Sequence, residues 1–193
     1  MAYVTYTTTA IVCGSKASNT SDRSYLLFTK EVGMVWATAR SVREERSRQR
    51  YALQDCALIT VSLVKGKAGW RIGSVEALGN TFIDATGRVG RAGVIVVIKF
   101  LRRFVHGEMV LPEVLEDAIA VMRTVSKANN VTTMERSVMI FELRALYQLG
   151  YVAKQEQFAS LLPPSAFVGA LSEQYGHEQL SPILSRAKDV SHL

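Results

Sequence analysis

The chain has 193 residues, and its 23 Lys and Arg against 17 Asp and Glu give a formal net charge of +6 at pH 7. Hydrophobic residues make up 48% and charged residues 21%, which is typical of a globular protein and excludes a disordered or fibrous one. Two cysteines are too few for a disulfide framework. Because the chain shows neither an apolar run of roughly 18–20 residues nor a basic leader before an apolar segment, we expect a cytoplasmic protein of one or two domains.

The first 80 residues are predicted to form a β domain. Five segments are rich in Thr, Val, Ile and aromatic residues, which are typical of strands. These segments are Tyr3–Gly14, Tyr25–Thr29, Met34–Thr38, Cys56–Val64 and Trp70–Ala77. A glycine-containing turn between the last two predicts an antiparallel hairpin. Five short strands with a long basic connection between the third and the fourth predict a small barrel.

The remaining residues are predicted to be helical. Three segments carry apolar residues at helical spacing. They are Val94–Val105, Leu111–Val125 and Met134–Leu149. The first of them begins with a β-branched run, Val94–Ile98, that would favour a strand, but its amphipathic flank, Lys99–Val105, indicates a buried helix. Gly150 is placed to end the last of them, and one or two short helices are expected after Pro163. The fold class is therefore α+β, with a barrel followed by a helical domain.

The positive charge is concentrated in the first half of the chain. Residues 1–103 contain 16 Lys and Arg against 7 Asp and Glu, a net +9, whereas residues 104–193 contain 7 against 10, a net −3. This asymmetry predicts a polyanionic partner. The densest stretch has five arginines, whose guanidinium groups suit bidentate phosphate contacts. They are Arg40, Arg43, Arg46, Arg48 and Arg50. The alternative is a solvated segment partly neutralised by Glu44 and Glu45.

Aromatic residues accompany this charge, while catalytic motifs are missing from the sequence. Trp36, Tyr51 and Trp70 lie in or beside the basic half. In barrels that bind single strands, bases stack on such rings, although a core position is the alternative for either tryptophan. The three histidines are far from one another and from the cysteines, and no metal-ligand spacing or nucleophile motif is present. We therefore predict no enzymatic activity, no catalytic residue, no metal and no cofactor.

Three groups of segments resemble RecO, a family of bacterial recombination mediators. The first is Tyr6–Ser15 with Ser21–Arg23 and Leu26–Thr29, the second is Leu53–Gln54 with Ile59–Lys67 and Trp70–Ile72, and the third is Phe141–Arg144 with Leu149–Tyr151. They occur in the family's order over about three quarters of the chain. The resemblance implies an oligonucleotide-binding (OB) barrel, here residues 1–80, followed by a helical domain, here residues 81–193.

The resemblance also implies a function in DNA repair and recombination. Members of the family bind single- and double-stranded DNA, anneal complementary strands, and with RecR help to load RecA onto strands coated by single-strand-binding protein. Such a protein is nucleoid-associated, and no membrane is involved. The family's basic barrel positions correspond here to Arg23, Arg40, Arg43, Arg46, Arg48, Arg50, Lys65, Lys67 and Arg71, with Trp70 as the candidate stacking residue.

Two departures from the family pattern bear on partners. Many members carry a four-cysteine zinc module after the third segment, but Val152–Ala159 contains no cysteine, so no zinc is expected. The final basic helix of the family is also not matched, which leaves the pocket for the tail of single-strand-binding protein in doubt. A protein–protein adaptor and an RNA-binding OB module are the alternatives to a DNA-binding mediator.

Overall fold

The computed structural model describes residues 4–42, 44, 47, 49–163, 166–171 and 175–190. The chain forms two compact units. The barrel unit comprises Met1–Asp84 and Val105–Leu115, and the helical unit comprises Ala85–Phe104 and Glu116–Leu193. Within the described ranges, none of the helices is both long and apolar enough to cross a membrane.

The barrel unit confirms the predicted five-stranded barrel in the N-terminal part of the chain. Its strands are β1 (Thr5–Ala17), β2 (Arg23–Thr29), β3 (Gly33–Ala39), β4 (Ala57–Gly66) and β5 (Gly69–Asn80). They close in the order β1-β2-β3-β5-β4, with β3 and β5 parallel and the other pairs antiparallel. The result is an OB-fold-like barrel, the five-stranded architecture that commonly binds oligonucleotides.

Strand alternation explains why the barrel forms. Val12, Leu27, Ile59 and Leu63 are fully buried inside it, while their neighbours along each strand point outward. A register shift between Val12 and Gly14 in the pairing of β1 with β2 marks a bulge, a device that bends a strand and increases its twist. This bend helps the long first strand to pair with both β2 and β4.

The connection from β3 to β4 contains helix α1 (Gln49–Ala52). Residues at both of its ends contact the barrel. Val42 and Leu53 are buried in the barrel core. The Gln49 side chain donates a hydrogen bond of 2.7 Å to the Gly73 carbonyl of β5, and the Cys56 amide donates to the Val12 carbonyl at 2.9 Å. The described residues at the two ends of the connection therefore pack against the barrel wall.

A later segment of the chain, Val105–Leu115, belongs to the barrel unit. The Met34 amide donates to the Gly107 carbonyl at 2.8 Å. Gly33 has φ +73°, and a Cβ there would lie 2.5 Å from the Met109 carbonyl oxygen. Both observations explain the glycine, because only glycine combines a left-handed conformation with such a close backbone approach.

The helical unit contains α2 (Arg88–Phe104), most of α3 (Pro112–Val125), α4 (Val131–Gln148), a 3-10 helix (Glu156–Leu161), α5 (Phe167–Ala170) and α6 (His177–Val190). The predicted buried helix is therefore present as α2, with Val94, Val97 and Leu101 fully buried. A Cβ at Gly93 would lie 2.7 Å from the Met134 side chain, so this glycine permits close packing of α2 on α4.

The segment Phe141–Arg144, which carries part of the family resemblance, lies in α4 and holds the helical unit together. The Arg144 Nε donates to Oδ2 of Asp117 at 2.7 Å, and one of its terminal nitrogens donates to the Leu161 carbonyl at 2.7 Å. Glu142 accepts from Lys188 Nζ of α6 at 2.7 Å. These side chains link α4 to α3, to the 3-10 helix and to α6, so their role is structural.

Candidate nucleic-acid interface

The outer face of β1, β2 and β3 carries an exposed tryptophan beside a lysine. Leu26 of β2 is the register partner of Trp36 of β3, and both side chains point away from the barrel core. Trp36 is 40% exposed, and Lys16 Nζ of β1 lies 4.1 Å from the centre of its ring. We call Lys16, Leu26, Trp36 and Thr38 the outer face. An exposed ring next to a cation is the arrangement that binds a base and its phosphate.

The outer face continues onto β5 through a cleft of about 520 Å³, the β5 cleft. Thr38 is the parallel register partner of Arg71, which brings this guanidinium to the edge of the face. The cleft is lined by Arg40, Gln49, Val64, Arg71, Ile72 and Gly73. Its two charged side chains are both arginines, so the lining suits a phosphate backbone.

A second cleft of about 450 Å³, the β2 cleft, is lined from β1, β2 and the β3–β4 connection. Its lining residues are Ser15, Arg23, Tyr25, Val42, Arg50, Leu53, Gln54 and Asp55. Arg50 lies over the exposed ring of Tyr51, with 4.8 Å between its guanidinium carbon and the ring centre, and it donates a 2.7 Å hydrogen bond to the tyrosine hydroxyl.

The turn between β1 and β2 is tied to the end of β3. The Asn19 side chain accepts from the Asp22 amide at 2.6 Å and donates to the Asp22 carboxylate at 2.9 Å. That carboxylate also accepts from the Ser41 amide at 2.9 Å. These hydrogen bonds, first from Ser41 and then from Asn19, lower the pKa of Asp22. The carboxylate thus stays ionised and is engaged in shaping the turn.

Trp70, the predicted stacking residue, lies in the barrel core. It is 7% exposed, packs edge-on against Tyr6 with ring centres 5.6 Å apart, and donates from Nε1 to Glu108 at 3.0 Å. Lys65 is paired with the same carboxylate at 2.6 Å. Hydrogen bonds from Lys65 and then Trp70 lower the pKa of Glu108. The arrangement therefore favours a structural role for Trp70, and the charge of Lys65 is paired with that of Glu108.

The other predicted DNA-binding residues are distributed as follows. Arg23, Arg40, Arg50 and Arg71 line the two clefts, and Lys67 is exposed at the tip of the β4–β5 hairpin. The remaining three lie outside the described residues. They are Arg43, Arg46 and Arg48.

Two residues of the outer face were not in the predicted set. Lys16 is not part of the prediction, and Trp36 appears there only as an alternative to Trp70. Strand alternation puts Trp36 on the side of β3 opposite to Val35 and Ala37, but only the structure shows that these two residues face the core. Lys16 of β1 shares the outward direction of Trp36.

The buried thiols and the titratable groups offer no catalytic arrangement in the part of the chain that the structure describes. Burial first, and the charge of Asp55 second, raise the pKa of the Cys56 thiol to about 11, which keeps it protonated and unreactive. No cluster of three His, Cys, Asp or Glu side chains there could hold a metal ion.

No protein-family model matches the chain, and a search of curated proteins finds no significant match.

Proposed function

We propose that the chain is a DNA-binding recombination mediator of the RecO type, which binds single-stranded DNA on the outer face of its barrel. The observation that carries this proposal is the exposed Trp36 ring, with Lys16 4.1 Å from its centre, on a face that continues into the β5 cleft and its two arginines. A ring of this kind supports stacking of a base, and the surrounding cations follow the phosphates. The resemblance to RecO then suggests annealing of complementary strands and RecA loading with RecR on strands coated by single-strand-binding protein.

The charge on this surface sets the expected salt dependence. Three described cations, none of them in an ion pair within the described residues, lie on the outer face or line the β5 cleft that continues it. They are Lys16, Arg40 and Arg71. If each neutralises one phosphate, the slope of log affinity against log salt is about −2.1 for a single strand. The affinity then falls by about twentyfold between roughly 50 and 200 mM salt.

Fluorescence anisotropy with a labelled oligothymidylate tests both parts of the interface. Arg40→Ala combined with Arg71→Ala should flatten the slope by about 1.4, because two phosphate contacts are removed. Trp36→Ala should weaken binding by about five-fold or more with the slope unchanged, because stacking is worth about 1–3 kcal/mol per base. Trp36→Phe retains a stacking ring and should bind nearly as well as the wild type.

The control variant is Lys127→Ala, which removes an exposed cation of the helical unit and should leave both slope and affinity unchanged. Equal effects of Lys127→Ala and Arg71→Ala would contradict the proposed surface. Annealing of complementary labelled strands by the wild type and by Trp36→Ala then tests the mediator function. Tighter binding to an equal-length RNA would favour the RNA-binding alternative, since the 2′-hydroxyl distinguishes the two.

A further inference from the structure

The β2 cleft differs from the β5 cleft in one chemical respect. Its lining includes the carboxylate of Asp55 together with the guanidinium groups of Arg23 and Arg50, whereas both charged residues of the β5 cleft are arginines. A carboxylate repels a phosphate, so the β2 cleft is poorly suited to the backbone of a nucleic acid. Its lining instead combines acceptors and donors, which are the groups that read the edge of a base.

The shape of the cleft fits this chemistry. Val42 and Leu53, which are 1% and 3% exposed, give it an apolar floor. Its volume of about 450 Å³ lies within the range of roughly 300–1,000 Å³ that is usual for small-ligand sites. The side chains of Arg23 and Asp55 make no hydrogen bond or ion pair with another residue that the structure describes, so their polar atoms are available to a ligand.

Charged side chains of the lining act on Tyr25. Burial raises the pKa of Tyr25, and the charge of Arg23 lowers it while the charge of Asp55 raises it. Both charges therefore lie close enough to the Tyr25 hydroxyl to act on it. Gln54 adds an exposed amide with a donor and an acceptor. The cleft thus offers a flat ligand an apolar floor together with hydrogen-bond donors and acceptors.

We propose that the β2 cleft binds a single unstacked guanine of the bound strand, an inference that rests on the proposed function. An ionised carboxylate only accepts hydrogen bonds. Guanine presents two adjacent donors, N1–H and the 2-amino group, whereas every other DNA base places an acceptor beside its donor on that edge. The O6 and N7 acceptors of guanine match guanidinium donors. Asp55 therefore accepts from the two donors, and Arg23 or Arg50 donates to the acceptors.

The test uses the full chain and oligothymidylates of about 20 nucleotides, longer than the roughly 4–16 that one OB barrel covers. Each oligonucleotide carries one central guanine, adenine, cytosine or hypoxanthine, and binding is measured by competition in fluorescence anisotropy. The guanine oligonucleotide should bind about five-fold or more tightly than plain oligothymidylate. Hypoxanthine lacks the 2-amino group and should lose most of this preference, a result that needs no protein variant.

Asp55→Asn should abolish the guanine preference while affinity for plain oligothymidylate is kept or slightly increased, because a negative charge is removed. The matched control is Glu76→Gln, which removes an exposed carboxylate of β5 outside the cleft and should retain the preference. Equal binding of all the oligonucleotides, or a preference that survives Asp55→Asn, would overturn the guanine site alone. Failure to bind oligothymidylate at low salt would instead overturn the proposed function.

Discussion

The pair formed by Arg144 and Asp117 offers a direct test of what holds the helical unit together. Their side chains are 3% and 8% exposed, and the Arg144 Nε lies 2.7 Å from Oδ2 of Asp117. A second guanidinium nitrogen donates to Oδ1 at 3.1 Å, and a third donates to the Leu161 carbonyl at 2.7 Å. The guanidinium is thus paired with the Asp117 carboxylate and also donates to the Leu161 carbonyl.

Asp117→Asn removes the compensating charge with almost no change in volume. Breaking a buried ion pair from one side costs about 3–5 kcal/mol, because the remaining charge stays desolvated. The asparagine oxygen still accepts one hydrogen bond and the Leu161 carbonyl stays in place, so we expect the lower end, about 3 kcal/mol. For a chain of this size, at about 2–4 °C per kcal/mol, Tm should fall by about 6–12 °C.

Urea unfolding followed by circular dichroism at the helical band measures this loss. Replacing both partners, with Asp117→Leu and Arg144→Met, should recover much of the stability because no charge is then left buried. Glu135→Gln, at an exposed carboxylate of α4, should cost less than about 0.5 kcal/mol. A cost below about 1 kcal/mol for Asp117→Asn would refute the view that the pair is essential to the unit.

Two further predictions concern carboxylates with shifted pKa values. Glu108→Gln should release Lys65, so oligothymidylate should bind more tightly and the salt slope should steepen by about 0.7; an unchanged slope in the anisotropy titration would show that Lys65 does not reach the strand. Burial raises the pKa of Glu142, although Lys188 opposes the shift. The contribution of Glu142 to stability is therefore fully present below its unfolded pKa and is lost as pH rises through the folded pKa. Urea titrations at several pH values should show that the free energy of unfolding of the wild type falls relative to that of Glu142→Gln as the pH rises above about 4.5, the ordinary pKa of a glutamate. A difference in unfolding free energy between the two proteins that does not change with pH would contradict this.

The local parts of the fold were predictable because they depend on neighbouring residues. Alternation at Ile59, Val61 and Leu63 defines β4, and glycine at 150, with φ +81° just after α4, ends that helix as expected. The helix α2 was harder, since its β-branched run favours a strand. Its amphipathic pattern decided the outcome, because one apolar stripe could be buried against other helices.

The choice between the two tryptophans could not be made from local sequence. Each stands among strand residues in the basic half of the chain. Trp70 is turned inward, where its indole nitrogen finds an acceptor in Glu108, 38 residues later in the sequence. Trp36 is left outside with Lys16 of another strand. Both outcomes depend on contacts distant in sequence, which composition and periodicity do not report.

The interrupted barrel unit has a consequence for synthesis on the ribosome. Residues up to Asp84 supply all five strands, but Gly107, Glu108 and Met109 are translated only after the whole of α2 (Arg88–Phe104). Until then the Met34 amide and the Trp70 indole lack their partners from this segment. A nascent barrel released at residue 84 would therefore be incomplete. The barrel unit is completed only after the ribosome has translated Gly107, Glu108 and Met109, which follow helix α2 of the helical unit.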